Sequence, residues 1–89
     1  MKLAVEMAVM ELNGEIGAVA VGEDSAKFHG MLRLNESAAD IIRFLADDTD
    51  PGKIHKALTK KYTDSTPEEI SGMLDGFLSQ LRSEGLLRE

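Results

Sequence analysis

The stretch MLRLNESAAD, residues 31–40, contains the change of structure that decides the fold. Its first half is a short apolar run interrupted by Arg33, and its second half begins at Asn35 and continues with acidic and small residues. Beyond Leu34 the apolar residues follow the i, i+3, i+4, i+7 spacing of an amphipathic helix. That stripe consists of Ala38, Ile41, Ile42 and Leu45. The pattern therefore predicts that a strand ends at Leu34 and that a helix begins at once.

Two start positions compete for this helix. Asn35 suits the N-cap because its side-chain oxygen can accept from the free N–H groups of the first turn, and Glu36 follows at the positive end of the helix dipole. Ser37 with Asp40 offers a second capping box two residues later. The sequence alone leaves both starts open.

Three strands are predicted before the junction. The run at residues 3–12 alternates imperfectly and leads into Asn13–Gly14, the strongest short hairpin signal, so the second run at residues 16–22 completes a hairpin. A polar turn at residues 23–25 then precedes a third, short strand over about 28–34. One face of this strand is expected to carry Phe28, Leu32 and Leu34.

Two more helices follow, and each has a clear start. Asp50–Pro51 are suited to be the N-cap and first residue of the second helix, and Thr66–Glu69 reads as a capping box with proline at the first helical position. Gly85 suits a left-handed end to the third helix, with Leu86 folding back onto it. The inward positions are Ile54, Ala57, Leu58 and Tyr62, then Ile70, Met73, Leu74, Phe77, Leu78 and Leu81. We predict one α+β domain over residues 1–89, winged-helix-like, with a three-stranded antiparallel sheet followed by three helices.

Composition excludes several classes of protein. A hydrophobic content of 43% with 29% charged residues is typical of a soluble globular chain, and the absence of cysteine removes disulfides and fits a reducing cytoplasm. Glu6 and Glu11 interrupt the first apolar run, so it does not resemble a signal peptide, and no stretch approaches the ~20 apolar residues of a membrane span. The net charge of −6 disfavours nucleic acid. We expect a cytoplasmic protein without a membrane or nucleic-acid partner.

Residues able to carry catalysis or hold a metal are scattered. His29 and His55 are the only histidines, without cysteine or clustered carboxylates beside them. The serines form no nucleophile elbow, and Gly22, Gly30 and Gly52 form no phosphate-binding spacing. We therefore expect no enzyme activity, no metal and no cofactor.

Two other functions were weighed against the residues. Asp24–Ser25 is similar to the phosphopantetheine site of acyl carrier proteins, but Ser25 falls between two strands rather than at the start of a helix. A hairpin with three helices also suggests a winged-helix DNA-binding regulator, whose third helix would face the major groove. The outward positions of that helix are acidic or small, with Arg82 as the clear cation. These positions are Glu68, Glu69, Gly72, Asp75, Gly76, Ser79 and Ser83. Regulation through protein contact remains an alternative.

Two segments of the chain resemble the PqqD family, small peptide-recognition proteins of pathways that modify ribosomally made peptides. They are LNESAADIIRFLADDTDPGKIHKALTKKY, residues 34–62, and DGFLSQLRSEGLL, residues 75–87. The likeness covers about residues 28–89 well and the hairpin loosely. The matching residues are Leu34, Asn35, Leu45, Ile54, Leu58, Tyr62, Phe77, Leu78, Leu81, Gly85, Leu86 and Leu87. The chain departs from the family at Ile42, often a tryptophan, and at residues 30–33, where members often carry an aromatic pair, which leaves open the peptide recognised.

The resemblance implies a non-catalytic protein that captures the leader of a precursor peptide and presents it to a radical S-adenosylmethionine (SAM) enzyme, as in pyrroloquinoline quinone biosynthesis. The leader would pair with the third strand as a sheet edge and fill a groove beside the third helix. Arg33 would discourage self-pairing of that edge, and a monomer or weak homodimer is expected. The implied leader-binding residues are Met31, Leu32, Arg33 and Leu34 on the strand, with Met73, Phe77 and Gln80 on the helix. Plain core packing is the alternative for Met73 and Phe77.

Overall fold

The computed structural model describes residues 1–26 and 30–89, without the side chains of Asp24 and Ser25. The predictions on Phe28 and His29 lie outside these residues. The strands are β1 (Lys2–Leu3), β2 (Met7–Leu12), β3 (Glu15–Ala20), β4 (Met31–Leu34) and β5 (Leu87–Arg88), and the helices are α1 (Glu36–Phe44), α2 (Pro51–Lys61) and α3 (Pro67–Ser83). A short 3-10 helix, Gly22–Ala26, follows β3. The predicted α+β fold, a three-stranded antiparallel sheet followed by three helices, is confirmed, while the winged-helix likeness stays a prediction.

The hairpin forms at the predicted turn. Asn13 and Gly14 have φ angles of 54° and 80°, and positive values at both central residues define the type I′ turn that matches strand twist. The turn sets the register of β2 on β3, beginning with Leu12 opposite Glu15. β4 pairs antiparallel with the other side of β3, so the sheet order is β2-β3-β4. Within the described part of the chain, β4 is therefore an edge strand.

The prediction of one strand over residues 3–12 was wrong. β1 pairs with β5 in a separate sheet, and the chain bends before β2 begins at Met7. The Leu3 N–H donates to the Leu45 carbonyl at 2.9 Å and the Ala4 N–H to the Leu86 carbonyl at 2.8 Å. These bonds, together with burial of the Leu3 side chain, draw the first residues away from the hairpin. An imperfect alternation could not reveal the bend, because the pairing partner lies at the far end of the chain.

The described part of the third strand does not include Gly30. β4 begins at Met31, after Gly30 in a left-handed conformation with φ of 110°. Leu32 is buried and Leu34 half-buried, so the two do share the inner face. Met31 and Arg33 alternate with them and are exposed on the outer face.

The helix boundaries follow the capping signals. The Asn35 side chain accepts from the Ala38 N–H at 2.9 Å, which selects Asn35 over Ser37 as the start of α1. Asp50 caps α2 by accepting from the Lys53 N–H at 2.9 Å. Gly85 follows α3 with φ of 72°, as predicted for a left-handed helix end.

The core lies between the inner face of the sheet and the three helices. α1 packs on the β2-β3-β4 sheet, and α2 packs on α3. The largest fully buried side chains are Ile41, Ile42, Leu45, Ile54, Leu58, Leu74, Leu78 and Leu81. Burial of an aliphatic side chain of this size contributes about 1.5–3 kcal/mol, so this cluster is a substantial part of the favourable free energy of folding. No helix in residues 1–26 and 30–89 is long and apolar enough to cross a membrane.

Candidate functional site

The outer edge of β4 offers main-chain groups that can be assigned from the register. In a two-residue hairpin the residues flanking the turn form a hydrogen-bonded pair, and hydrogen-bonded and non-bonded pairs then alternate along the ladder. Counting from Leu12 opposite Glu15, the main-chain groups of Ile16 and Ala18 point away from β2 and towards β4. Their partners on β4 are Leu34 and Leu32.

The N–H and C=O groups of Met31 and Arg33 consequently point to the free edge, because successive residues of a strand direct their main-chain groups to opposite sides. Asn35 continues this alternation, since its φ of −90° and ψ of 179° keep it extended. The free edge therefore runs from Met31 to the residue that caps α1.

The outer-face side chains of β4 lie over the sheet. Met31 is 51% exposed and covers Gly17 of β3, where a Cβ atom would approach within 2.7 Å of the Met31 Cγ. The Arg33 guanidinium donates to the Glu15 carboxylate in an exposed ion pair. An exposed pair of this kind contributes little stability, about 0–1 kcal/mol, but it places a charge beside the open edge.

A groove lies where β4 gives way to α1, and we call it the junction groove. Its volume is about 380 Å³, at the lower end of the range for ligand pockets and suited to one or two side chains. It is lined by Asn35, Glu36, Ser37, Tyr62, Ser65, Glu69, Ile70 and Met73. The strand edge, the end of α2 and the first turns of α3 thus meet at one place.

The polar side chains of the junction groove largely bond to one another. The Ser37 hydroxyl donates to the Asn35 side-chain oxygen at 3.1 Å, which also accepts from the main chain. Thr66 and Glu69 form the predicted reciprocal capping box, with distances of 3.1 Å and 2.9 Å. The apolar surface that the groove offers a guest comes from Tyr62, Ile70 and Met73, and the polar residues Glu36 and Ser65 lie beside it.

Asp40 is the buried charged residue behind this groove. It is 8% exposed, and its carboxylate accepts from the Tyr62 hydroxyl at 2.5 Å and the Lys61 ammonium at 2.9 Å. The Arg43 guanidinium completes the set at 3.3 Å. Lys61 also lies 3.9 Å from Glu36, so two residues that line the groove, Tyr62 and Glu36, are connected through this cluster.

The protonation states of the cluster follow from its contacts. Burial by itself raises the pKa of Asp40, but hydrogen bonds from Tyr62 and Lys61 and the nearby positive charges outweigh it, so this pKa lies below its ordinary value. The pKa of the Tyr62 hydroxyl is raised, first by burial and then by its bond to Asp40. Near neutral pH Asp40 is therefore an ionised acceptor and Tyr62 a neutral donor.

The predicted leader-binding residues occupy different environments. Met31 and Arg33 are exposed, Leu34 is half-buried beside the junction groove, and Leu32 belongs to the core. Of the predicted residues on α3, Met73 lines the groove. Phe77 and Gln80 follow at i+4 and i+7 from Met73, on the same flank of α3, but they are not among the residues that line the groove. Met73 and Phe77 are partly buried against the core, so packing and binding both remain consistent with their positions.

The prediction of the site did not include Tyr62, Ser65 or Glu69 as groove residues. Their helix-end and capping signals were recognised or visible in the sequence, but these signals do not say which helix ends meet. Proximity of the Asn35 and Thr66 caps arises from tertiary packing alone.

Several other surfaces lie outside the junction groove. Each outward position on α3 from Glu68 to Ser83 is exposed as predicted, and the Arg82 guanidinium is engaged with Glu89 at 2.8 Å. The His55 ring lies 3.0 Å from the Pro67 carbonyl and so joins α2 to the start of α3. A second cavity of about 480 Å³ lies along residues 2–7, away from the β4 edge, with Ala46 and Arg88 beside it. Within the described residues, no group of three or more histidines and carboxylates is placed to hold a metal ion.

The chain matches a protein-family model. The model described as Coenzyme PQQ synthesis protein D (PqqD) matches residues 6–87, nearly the whole chain. The chain belongs to the PqqD family. Its resemblance to this family in the strand–helix junction and the three helices is thereby confirmed.

Membership of the PqqD family supports a peptide-binding chaperone role in biosynthesis of the PQQ type. Members are non-catalytic accessory proteins, and the family implies a peptide partner and a modifying enzyme. No curated protein and no solved structure matched the chain. The family therefore gives the kind of role, and the structure must suggest how the peptide is held.

Proposed function

We propose that the protein binds the leader of a ribosomally made precursor peptide as a fourth strand on β4 and presents it to a radical SAM enzyme. The observation that carries this proposal is the free edge of β4, which ends in the junction groove. Strand addition uses generic main-chain hydrogen bonds for affinity and side-chain pockets for specificity. In this protein the free main-chain edge of β4 and the junction groove, which can serve as a side-chain pocket, lie next to each other.

The length of the free edge limits the number of main-chain hydrogen bonds that a leader strand can make with β4. Met31 and Arg33 each direct one donor and one acceptor outward, and the Asn35 N–H extends the row by alternation. A leader segment of about five residues spans this edge, at about 3.3 Å per residue. Its alternate side chains face inward, towards the side of the sheet on which the junction groove lies.

The inner side chains supply the specificity. A leader residue placed beside Leu34 reaches the apolar floor formed by Ile70 and Met73. Further residues then follow the α3 flank that carries Phe77 and Gln80. We assign the leader-contacting role to Met31, Arg33, Leu34, Met73, Phe77 and Gln80, with Leu32 supporting the edge from within the core.

A titration of ¹⁵N-labelled protein with a synthetic leader peptide tests this proposal. The peptide is taken from the short reading frame beside the gene, and a scrambled peptide of the same composition is the matched control. We expect saturable amide shifts concentrated in residues 30–36 and 69–80 with the leader and none with the control. Saturable shifts confined to other residues would contradict strand addition at β4.

A pair of variants separates the main chain of Arg33 from its side chain. Arg33→Pro removes the outward N–H, a change that an edge strand tolerates on its free side, whereas Arg33→Ala removes only the side chain. We expect Arg33→Pro to weaken leader binding up to about tenfold more than Arg33→Ala, the value of one net hydrogen bond. Equal affinities would show that the Arg33 N–H makes no bond to the leader.

Presentation to the enzyme requires a three-component measurement. Sedimentation velocity of the protein and leader with the radical SAM enzyme encoded nearby should show a ternary complex, and peptide modification should fall with Arg33→Pro in proportion to the loss of leader binding. If modification were undiminished in that variant, the enzyme's activity would not depend on capture of the leader at β4.

A further inference from the structure

One wall of the junction groove is bonded to a buried residue that does not line the groove. Tyr62 supplies one wall, and a tyrosine can offer a guest either its ring or its hydroxyl. Here the hydroxyl is turned towards Asp40, to which it donates at 2.5 Å, so the ring is left for the groove. The buried carboxylate thus decides which part of Tyr62 a guest meets.

We propose that Asp40 is a positioning residue that keeps the junction groove selective for an apolar leader side chain, by holding the Tyr62 hydroxyl away from the groove. This inference rests on the proposed leader binding and adds the class of residue that the leader must place beside Leu34. Asp40 does not line the groove and acts through Tyr62.

The remaining contacts of Asp40 strengthen this arrangement. Lys61 and Arg43 neutralise the carboxylate, and the Lys61 ammonium lies 5.5 Å from the centre of the Tyr62 ring. These contacts hold the ring between α1 and the end of α2. A polar leader side chain placed against the Tyr62 ring, Ile70 and Met73 would lose its bonds to water there, and the Tyr62 hydroxyl would not be available to replace them.

Two leader peptides measure the selectivity. Nuclear Overhauser contacts to the Ile70 methyls and the Tyr62 ring first identify the leader residue in the groove. Peptides are then made with valine or threonine at that position, because the two have nearly the same shape and differ by a hydroxyl. The wild-type protein should bind the valine peptide about tenfold more tightly, as expected for a hydroxyl buried without a partner.

Asp40→Ala should abolish this preference because it releases the Tyr62 hydroxyl as a partner for threonine. Adding Tyr62→Phe to Asp40→Ala should restore the preference, since no hydroxyl then remains to be released. Asp40→Asn keeps an acceptor oxygen and should retain most of the selectivity. If Asp40→Ala acted only by destabilising the fold, removing the Tyr62 hydroxyl as well would not restore the preference for the valine peptide.

The outcomes distinguish this inference from the proposed function. If the wild-type protein binds no leader at the β4 edge, both fail. If it binds the leader but Asp40→Ala keeps the valine preference, or Tyr62→Phe does not restore it, the role of Asp40 is wrong and strand addition stands. Tyr62→Phe alone retains the ring and should keep the preference, so its loss in this variant also counts against the inference.

Discussion

The Tyr62 hydroxyl donates a 2.5 Å hydrogen bond to the Asp40 carboxylate and so joins the residue that ends α2 to the middle of α1. The bond crosses between two elements that belong to different parts of the sequence. Its acceptor is buried, and the Tyr62 hydroxyl joins Lys61 and Arg43 in satisfying that carboxylate. The junction groove stands directly on this contact, because Tyr62 is one of its walls.

We expect Asp40→Ala to lower the free energy of unfolding by about 1–3 kcal/mol, the penalty for leaving the partly buried Tyr62 hydroxyl without its partner. Urea denaturation followed by circular dichroism measures the change. Thr59→Val is the matched control, because the Thr59 hydroxyl donates at 2.7 Å to His55 within the same helix and joins no second element. If the free energy of unfolding fell by the same small amount in both variants, the Asp40 contact would be unimportant for stability.

Stability should also depend on Asp40 in acid. Because the pKa of Asp40 is lower in the folded protein than its ordinary value, the contribution of its charge is complete above the unfolded-state pKa of about 3.9. That contribution is lost as the pH falls through the folded-state value. Urea midpoints measured from pH 7 down to pH 3 should therefore fall more steeply for the wild-type protein than for Asp40→Asn. Parallel profiles would contradict a lowered pKa at Asp40.

Gly76→Ala should raise the free energy of unfolding by up to about 1 kcal/mol, since glycine is a poor helix former. Apart from Gly76 itself, its two neighbours and the adjoining helix main chain, no described atom lies within 4 Å of the position its Cβ would take, so the methyl group meets no obstacle. Gly85→Ala is the opposite control, because its φ of 72° strains any residue with a side chain. If Gly76→Ala weakened binding of the modifying enzyme while raising stability, a close approach at this helix face would be indicated.

Gly17→Ala should displace the Met31 side chain from the outer face of the sheet. A Cβ at this position would lie 2.7 Å from the Met31 Cγ and 3.3 Å from the Leu32 carbonyl oxygen, and the flexible methionine can move more easily than the main chain. We expect a changed Met31 methyl resonance and a loss of stability of about 1 kcal/mol, the lower end of the cost of overpacking. In a Met31→Ala background the same substitution should cost less, and equal costs in both backgrounds would place the strain elsewhere.

N-methylation of the leader tests the alternation of the edge. A methyl group on a leader nitrogen that faces β4 removes a hydrogen bond and adds a steric clash, whereas a methyl on the next nitrogen faces solvent. Affinity should therefore fall by more than about tenfold at every second position and change little between them. A loss that follows one continuous stretch would instead indicate a helical leader.

Arg33→Val should increase self-association through the open edge. The substitution removes the guanidinium that pairs with Glu15 and places an apolar side chain beside the open edge. An uncharged, apolar edge strand favours pairing between copies of the protein. Sedimentation velocity over a range of concentrations detects the change. Arg82→Val is the matched control, because it changes the net charge equally but lies on α3, away from the open edge. It should leave self-association unchanged. If both variants associated, the cause would be the change in charge and not the strand.

The helix boundaries could be predicted because their signals are local. Asn35, Asp50, Thr66 and Gly85 each act on main-chain groups within a few residues of themselves, so the sequence near the helix end is sufficient. The turn at Asn13–Gly14 is local in the same sense. The register derived from it, together with the pairing of β4 on β3, assigns the free edge of β4.

The remaining features depend on contacts between distant residues. The pairing of β1 with β5 has no periodic signal, because each strand contains two residues. The junction groove arises where the caps of α1 and α3 come together, which no single segment encodes. Asp40 was considered only as part of an alternative capping box, and its bond to Tyr62 spans 22 residues of sequence. The leader-binding residues remain predictions that the proposed titration will test.

The β1–β5 pairing joins Lys2 to Arg88 and Leu3 to Leu87, the most distant partners along the chain. Closing so long a loop is entropically expensive and is repaid only after the intervening elements have formed, so this pairing should be a late event in folding. The hairpin and helices need no such closure. Transient opening should accordingly begin where the two ends meet, and the β2-β3-β4 sheet can keep its free edge intact while they separate.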